Sequence, residues 1–182
     1  EMARTAALER LSSTSREQAQ QATLHTALAN GIVAVHEMAG PSIGGAHDAR
    51  ALKELADTGL LPKVSVYWGE VASEEAFDTA RAIGAHGLGG DLFVDGSLGS
   101  RTAALIEPYA DAKTNGRQYL SEEQIAEHLR STTQAGVPGG FHVIGDAACR
   151  DVAAAFRAVA QELGADRVRA AGHRIEHGEM LA

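Results

Sequence analysis

Apolar residues recur along this 182-residue chain in two alternating patterns. Short clustered or alternating runs predict strands, and longer stretches with apolar positions three and four apart predict helices. Ser15 with Gln18 predicts a capping box that opens a helix through "REQAQQATLHTALAN". Gly31 stops that helix, and "IVAVHEM" reads as the first strand. Ala49, Leu52 and Leu55 give helical spacing to "HDARALKELADTG", with Gly59 as its stop. The later strands are "KVSVYWG", "GDLFVDG", "GGFHVIG" and "HRIEH". Between them "SEEAFDTARAIG", "EEQIAEHLRSTTQAG" and "DAACRDVAAAFRAVAQELG" predict helices. The middle one opens with a second capping box, Ser121 with Gln124. In the last, Val152, Phe156, Val159 and Leu163 form one apolar stripe. From Gly96 to about Leu120 neither pattern holds, and a connection of that length suits a lid or a substrate loop.

Five strands separated by helical segments, with no hairpin turn between any two, predict a parallel α/β sheet. Such a sheet is either open and doubly wound or part of a (β/α)8 barrel. Polar residues at the strand ends favour the barrel: His36, Asp91 and Asp95, His142 and His177. Parallel strands bring their C-terminal ends to one face, where barrel enzymes build their sites, whereas an open sheet concentrates its site at a single switch point.

Composition narrows the partners. A net charge of −8 and a pI near 5.4 exclude a nucleic-acid backbone as an expected ligand. No apolar run approaches the roughly 20 residues of a membrane helix. Cys149 is the single cysteine, so no intramolecular disulfide forms, and a reducing, cytoplasmic setting is expected. The first residues, "EMARTAALERL", open inside a polar helical stretch without a signal pattern, and "HGEMLA" stops just past a strand; both ends read as cuts, leaving one partial domain over 1–182.

Candidate chemistry follows from the strand ends. Neutral imidazole is a common metal ligand, and His142 and His177 occupy matching places in consecutive strand–helix units. A single strand histidine is otherwise more often a packed core residue. Asp91, Phe93 and Asp95 share a face by strict alternation, so Asp91 is a third candidate ligand or a solvent-side cap. His36 lines the site or bonds a neighbouring loop. Arg101 holds a substrate carboxylate or a nearby acid. Asp146 caps the following helix and is a candidate to orient His142. His25, His47, His86 and His128 fall on helices or turns and are expected to face solvent. "GLGGD" and "GSLGSR" match neither a P-loop nor a dinucleotide fingerprint.

The segments "DLFVDGSLGSRTAALIEPYAD", "GFHVIGDAA" and "HRIEHGEML", in this order and spacing, resemble the YtcJ-like branch of the metal-dependent amidohydrolase superfamily, to which N-substituted formamide deformylase belongs. "GIVAVHEMAG" resembles that family's second strand. The resemblance implies a (β/α)8 TIM barrel, of which this chain is the central part, strands two to six. It also implies hydrolysis of a non-peptide carbon–nitrogen bond by a water activated on one or two divalent metals, usually zinc. His142 matches the fifth-strand ligand and His177 the sixth-strand ligand. The family's first-strand His-x-His pair and eighth-strand aspartate, a ligand and proton carrier, have no counterpart here, so no catalytic base is named, and the chain alone is expected to be inactive and to bind zinc weakly or not at all. Asp91 stands where many relatives carry a lysine that bridges two metals once carboxylated. The expected substrate is a small amide-type molecule. A non-catalytic open α/β binding domain is the competing reading.

A barrel lacking strands on both sides is also expected to associate with the missing segments or with itself. Ile32, Ala34, Val64, Val66, Phe93, Val143, Ile144 and Ile175 are the candidates for an apolar inner face.

Overall fold

The computed structural model describes residues 10–59 and 61–181. Strands β1 (Ala34–Ala39), β2 (Lys63–Trp68), β3 (Gly87–Phe93), β4 (Gly139–Val143) and β5 (Arg174–His177) form one sheet, in sequence order and parallel throughout. Helices α1 (Ser13–Ala29), α2 (Gly45–Ala56), α3 (Glu74–Ile83), α4 (Glu122–Ala135), α5 (Asp146–Leu163) and α6 (Ala165–Ala171) precede or connect the strands. Right-handed crossovers without an order reversal put every connecting helix on the same side of the sheet. A doubly wound sheet needs a reversal, and there is none in this order.

The sheet is curled. Arg174 Nη1 on one edge strand donates to His36 Nδ1 on the other at 2.7 Å. In a flat sheet β1 and β5 would stand about 19 Å apart, four spacings of ~4.8 Å, well beyond one arginine side chain. The architecture is therefore a five-stranded parallel half-barrel wrapped by helices.

The core lies between sheet and helices, in two parts. Leu24, Ala49, Leu52, Val64, Val66, Trp68, Ala76, Ile83 and Leu88 form one, and Val94, Ile125, Leu129, Phe141, Val143, Val152, Ala155 and Val159 the other. Val152 and Val159 of the predicted stripe are buried, and Phe156 and Leu163 pack at its margin. Each large buried side chain contributes about 1.5–3 kcal/mol.

This arrangement corrects the expected inner face. Val64, Val66, Val143 and Ile144 are buried, the first three of them in the helix-side core, while Ile32, Phe93 and Ile175 are exposed. Register pairs place His36 beside Ser65, Met38 beside Tyr67, Gly140 beside Arg174 and His142 beside Glu176 on the concave side. The interior surface is largely polar, because the apolar half of each strand alternation is taken by the helices.

Helix starts and stops follow local chemistry. The capping box of Ser121 and Gln124 forms with both reciprocal hydrogen bonds, and Gly136 ends α4 at φ 69°. The first helix begins earlier than its Ser15 signal: Ser12 is the cap and accepts from the Ser15 N–H. Among the described residues no helix is long and apolar enough to cross a membrane.

His128 departs from the solvent-facing expectation, since it is fully buried on the α4 face that carries Ile125, Leu129 and Thr132. Its Nδ1 accepts from the Ala72 N–H at 3.0 Å, so Nε2 carries the proton toward the Leu88 carbonyl at 3.2 Å. Burial pushes its pKa down to about 4. His173 is a second structural imidazole, accepting from the Gly139 N–H at 2.9 Å and contacting Thr133 Oγ1 at 2.8 Å. His25, His47 and His86 are exposed as expected.

Candidate metal centre

Strand β3 reaches the site through a bulge. Leu88 pairs with Gly139 and Leu92 with Phe141, so the register shifts between them. Gly89 (φ 100°) and Gly90 (φ 64°) occupy left-handed backbone there, and a Cβ on Gly90 would lie 2.6 Å from Tyr67 Cβ. After the bulge Leu92 packs on the helix-side core, which leaves Asp91 and Phe93 facing the concave side.

His142 lies within β4 and His177 ends β5, but they are not register partners. His142 pairs with Glu176, and His177 pairs with Val143, whose side chain faces the helices. Strict alternation would send His177 to the helix side as well. Instead its backbone turns to φ 70°, and its ring stands 4.5 Å from the His142 ring, centroid to centroid.

Three ligand atoms, one each from Asp91, His142 and His177, lie within 4.8 Å of one another. Asp91 Oδ1 is 3.4 Å from His142 Nδ1 and 3.5 Å from His177 Nε2. The His142 Nε2–H donates to the Gly96 carbonyl at 2.8 Å, which leaves the Nδ1 lone pair turned toward Asp91. Neither Asp91 Oδ1 nor His142 Nδ1, both buried, has a hydrogen-bond partner. Two facing lone pairs without a hydrogen between them call for a cation or a shared proton. Separations of 3.4 and 3.5 Å also fit donors around one tetrahedral ion, for which bonds of about 2.1 Å imply edges near 3.4 Å.

The His142 imidazole holds the Asp91 carboxyl below the usual carboxylate range, against burial and with help from His177. For His142, burial acts downward, but Asp91 and the Gly96 carbonyl outweigh it and the net shift is upward.

Asp95 is fully buried and does not share the concave face with Asp91. Its carboxylate accepts from the N–H groups of Ile144 (3.0 Å), Gly145 (2.7 Å) and Ala104 (2.8 Å). It ties the 96–120 segment to the end of β4 and so fixes the Gly96 carbonyl that orients His142. The orienting role considered for Asp146 therefore falls to Gly96: Asp146 Oδ1 accepts instead from the Ile106 N–H at 2.9 Å, and Gly145 is the helix cap. Arg101 is paired with Asp111 of its own loop, Nε to Oδ1 at 3.0 Å and Nη2 to Oδ2 at 2.5 Å. His36 lies outside the converging group and accepts from Arg174, whose guanidinium also pairs with Glu176 and stacks over Tyr67 at 4.9 Å. Sequence reasoning named neither the Gly96 carbonyl nor the Arg174 network, since backbone acceptors and cross-sheet contacts carry no residue-type signal.

The amidohydrolase family model matches residues 1–182. The chain belongs to the amidohydrolase family. Among relatives in this setting, YtcJ of Bacillus subtilis, which bears an amidohydrolase name, is 42% identical over 62 residues, 34% of this chain and 12% of that protein. Protein LONG AFTER FAR-RED 3 of Arabidopsis thaliana is 36% identical over 97 residues, 52% of this chain and 16% of that protein. A metal-dependent hydrolase from Pyrococcus furiosus superposes with a TM-score of 0.67 at 26% identity, over 91% of this chain and 38% of that one. A second, from Pyrococcus horikoshii, superposes at 0.63 with 23% identity, over 91% and 37%, and shares the fold. The amidohydrolase half-barrel described here thus corresponds to less than two fifths of either solved chain.

Proposed function

We propose that the chain carries part of the metal centre of a metal-dependent hydrolase, with Asp91, His142 and His177 as ligands of one divalent cation. The observation that carries this reading is the convergence of three donors around buried, unpartnered Asp91 Oδ1 and His142 Nδ1. Two imidazoles and a carboxylate form a donor set suited to zinc. A cation bound there supplies an activated water and polarises a scissile carbonyl.

The chain's own residues hold and aim that centre. The Gly96 carbonyl fixes the His142 tautomer, and Asp95 fixes Gly96 through three backbone amides. Asp91 brings a carboxylate to a cluster otherwise made of imidazole rings. Family membership supports a small amide-type substrate cleaved at a non-peptide carbon–nitrogen bond. The lone, buried Cys149 is compatible with a cytoplasmic setting.

Calorimetric titration of the 182-residue chain with zinc tests the ligand set. One zinc per chain is expected, with affinity reduced at least tenfold in each of Asp91→Asn, His142→Ala and His177→Ala. Binding that is unchanged in all three variants, or absent at micromolar zinc, overturns the assignment.

A further inference from the structure

Phe93 is the aromatic side chain on the concave face that makes ring contact with the donor cluster. Its neighbours in sequence, Leu92 and Val94, belong to the helix-side core, while Phe93 itself points the other way and is 52% exposed. It is the register partner of His142, and the two rings lie 4.7 Å apart at 52°. Asp91, two residues earlier on the same face, approaches His142 at Nδ1, so Asp91 and Phe93 flank one imidazole from different sides.

The same face carries Met38 and Tyr67 as well as His36, Ser65, Asp91, Arg174 and Glu176, but Tyr67 is buried whereas Phe93, beside the donors, is left half exposed. Whatever covers it must lie against the His142 ring, directly beside the three converging donors. A group attached next to a scissile carbonyl at that cluster is within reach of the Phe93 ring, 4.7 Å from the His142 ring. We infer that Phe93 is a specificity-determining residue, an aromatic platform that selects substrates bearing an aryl or other flat apolar group next to the scissile amide. This rests on the metal-centre assignment above and adds the substrate class to it. Ring-on-ring contact rewards planar partners beyond simple burial, by an amount that corresponds to a few-fold to about tenfold in affinity.

The test uses two probes with the same metal-binding head, benzohydroxamate and acetohydroxamate, titrated calorimetrically into the zinc-loaded chain. Wild type should prefer the phenyl probe. Phe93→Ala and Phe93→Leu should each weaken benzohydroxamate about tenfold more than acetohydroxamate, while Phe93→Tyr keeps the preference. Phe93→Leu retains apolar volume, so it separates loss of the ring from loss of fold, which circular dichroism checks in parallel. If both probes weaken equally, or the preference survives in Phe93→Leu, Phe93 is covered by polypeptide or serves packing alone, and the inference fails while the metal centre stands. If zinc binds but neither hydroxamate does, the aryl preference fails while the metal centre stands; if zinc does not bind, the metal-centre reading fails and takes the aryl preference with it.

Discussion

His142 and His177 meet ring to ring at 4.5 Å although their register places them on opposite faces of the sheet. The left-handed backbone at His177, φ 70°, is what brings the second imidazole round. Such a conformation costs a residue with a Cβ about 1–2 kcal/mol, and costs β-branched residues more. The side chain is 40% exposed, so it makes little packing contribution in return. His177→Gly is therefore expected to be at least as stable as wild type in urea unfolding, and His177→Val about 1–2 kcal/mol less stable. Both should lose zinc affinity. Equal stability of the glycine and valine variants would show that the backbone there is unstrained.

Asp95 should be a larger contributor to stability than any donor of the cluster. One carboxylate accepts three backbone N–H groups with no exposure to water. In Asp95→Asn the amide NH2 must face at least one of those donors, and charge-assisted bonds are lost. The expected cost is about 3 kcal/mol by chemical denaturation, with weakened zinc binding as a secondary effect through Gly96. A loss below about 1 kcal/mol would refute the bracket role.

Gly96 admits no side chain. A Cβ there would lie 2.0 Å from Thr102 Oγ1 and 2.5 Å from Thr102 Cβ. Gly96→Ala must displace the loop or the Gly96 carbonyl, with an expected cost of about 2–3 kcal/mol. The sensitive readout is the His142 ring proton spectrum, which should shift if its Nε2–H partner moves.

His128 sets an acid limit on stability. Its pKa is about 4 in the folded chain, against an ordinary value of 6.5. At pH 8 both states hold it neutral and it has no effect. As pH falls below 6.5 the unfolded chain takes up a proton that the folded chain refuses, so stability falls until about pH 4, by up to about 3 kcal/mol. The pH slope of unfolding free energy between 6.5 and 4 should be visibly flatter in His128→Gln. Comparing the two slopes isolates this residue, because His173 acts in the same direction and His142 in the opposite one.

The outer edges of β1 and β5 have no strand partner among the described residues. Exposed Ile32 and Val33 lie just before β1, and exposed Ile175 lies within β5. Edge pairing with another copy is the expected consequence, since unpaired strand edges template association. Sedimentation should show mass rising with concentration, and Ile175→Lys should suppress it. A monomer at all micromolar concentrations would show that the polar concave face and short edge strands suffice to keep the chain apart.

The sequence by itself determined the strand–helix alternation, the parallel sheet and the α4 capping box, because these depend on periodicity and on contacts within a few residues. Imidazoles and acids at strand ends also made Asp91, His142 and His177 candidates, but the same signal picked out His36 and Asp95, which lie outside the converging group. Which face each strand residue takes was decided only in three dimensions. Alternation says which residues share a face but not which face the helices cover, so Val64, Val66 and Val143 were candidates for the interior and lie beneath the helices instead. His177 left the alternation through a single backbone torsion that no composition signals. His128 became buried because its helix face was chosen by packing against β3. Arg101 was drawn to Asp111, and Asp95 to three amides, by loop contacts that close only once the chain has folded. Local propensity fixes the elements, whereas side-chain facing at a site depends on which surfaces the whole chain removes from water.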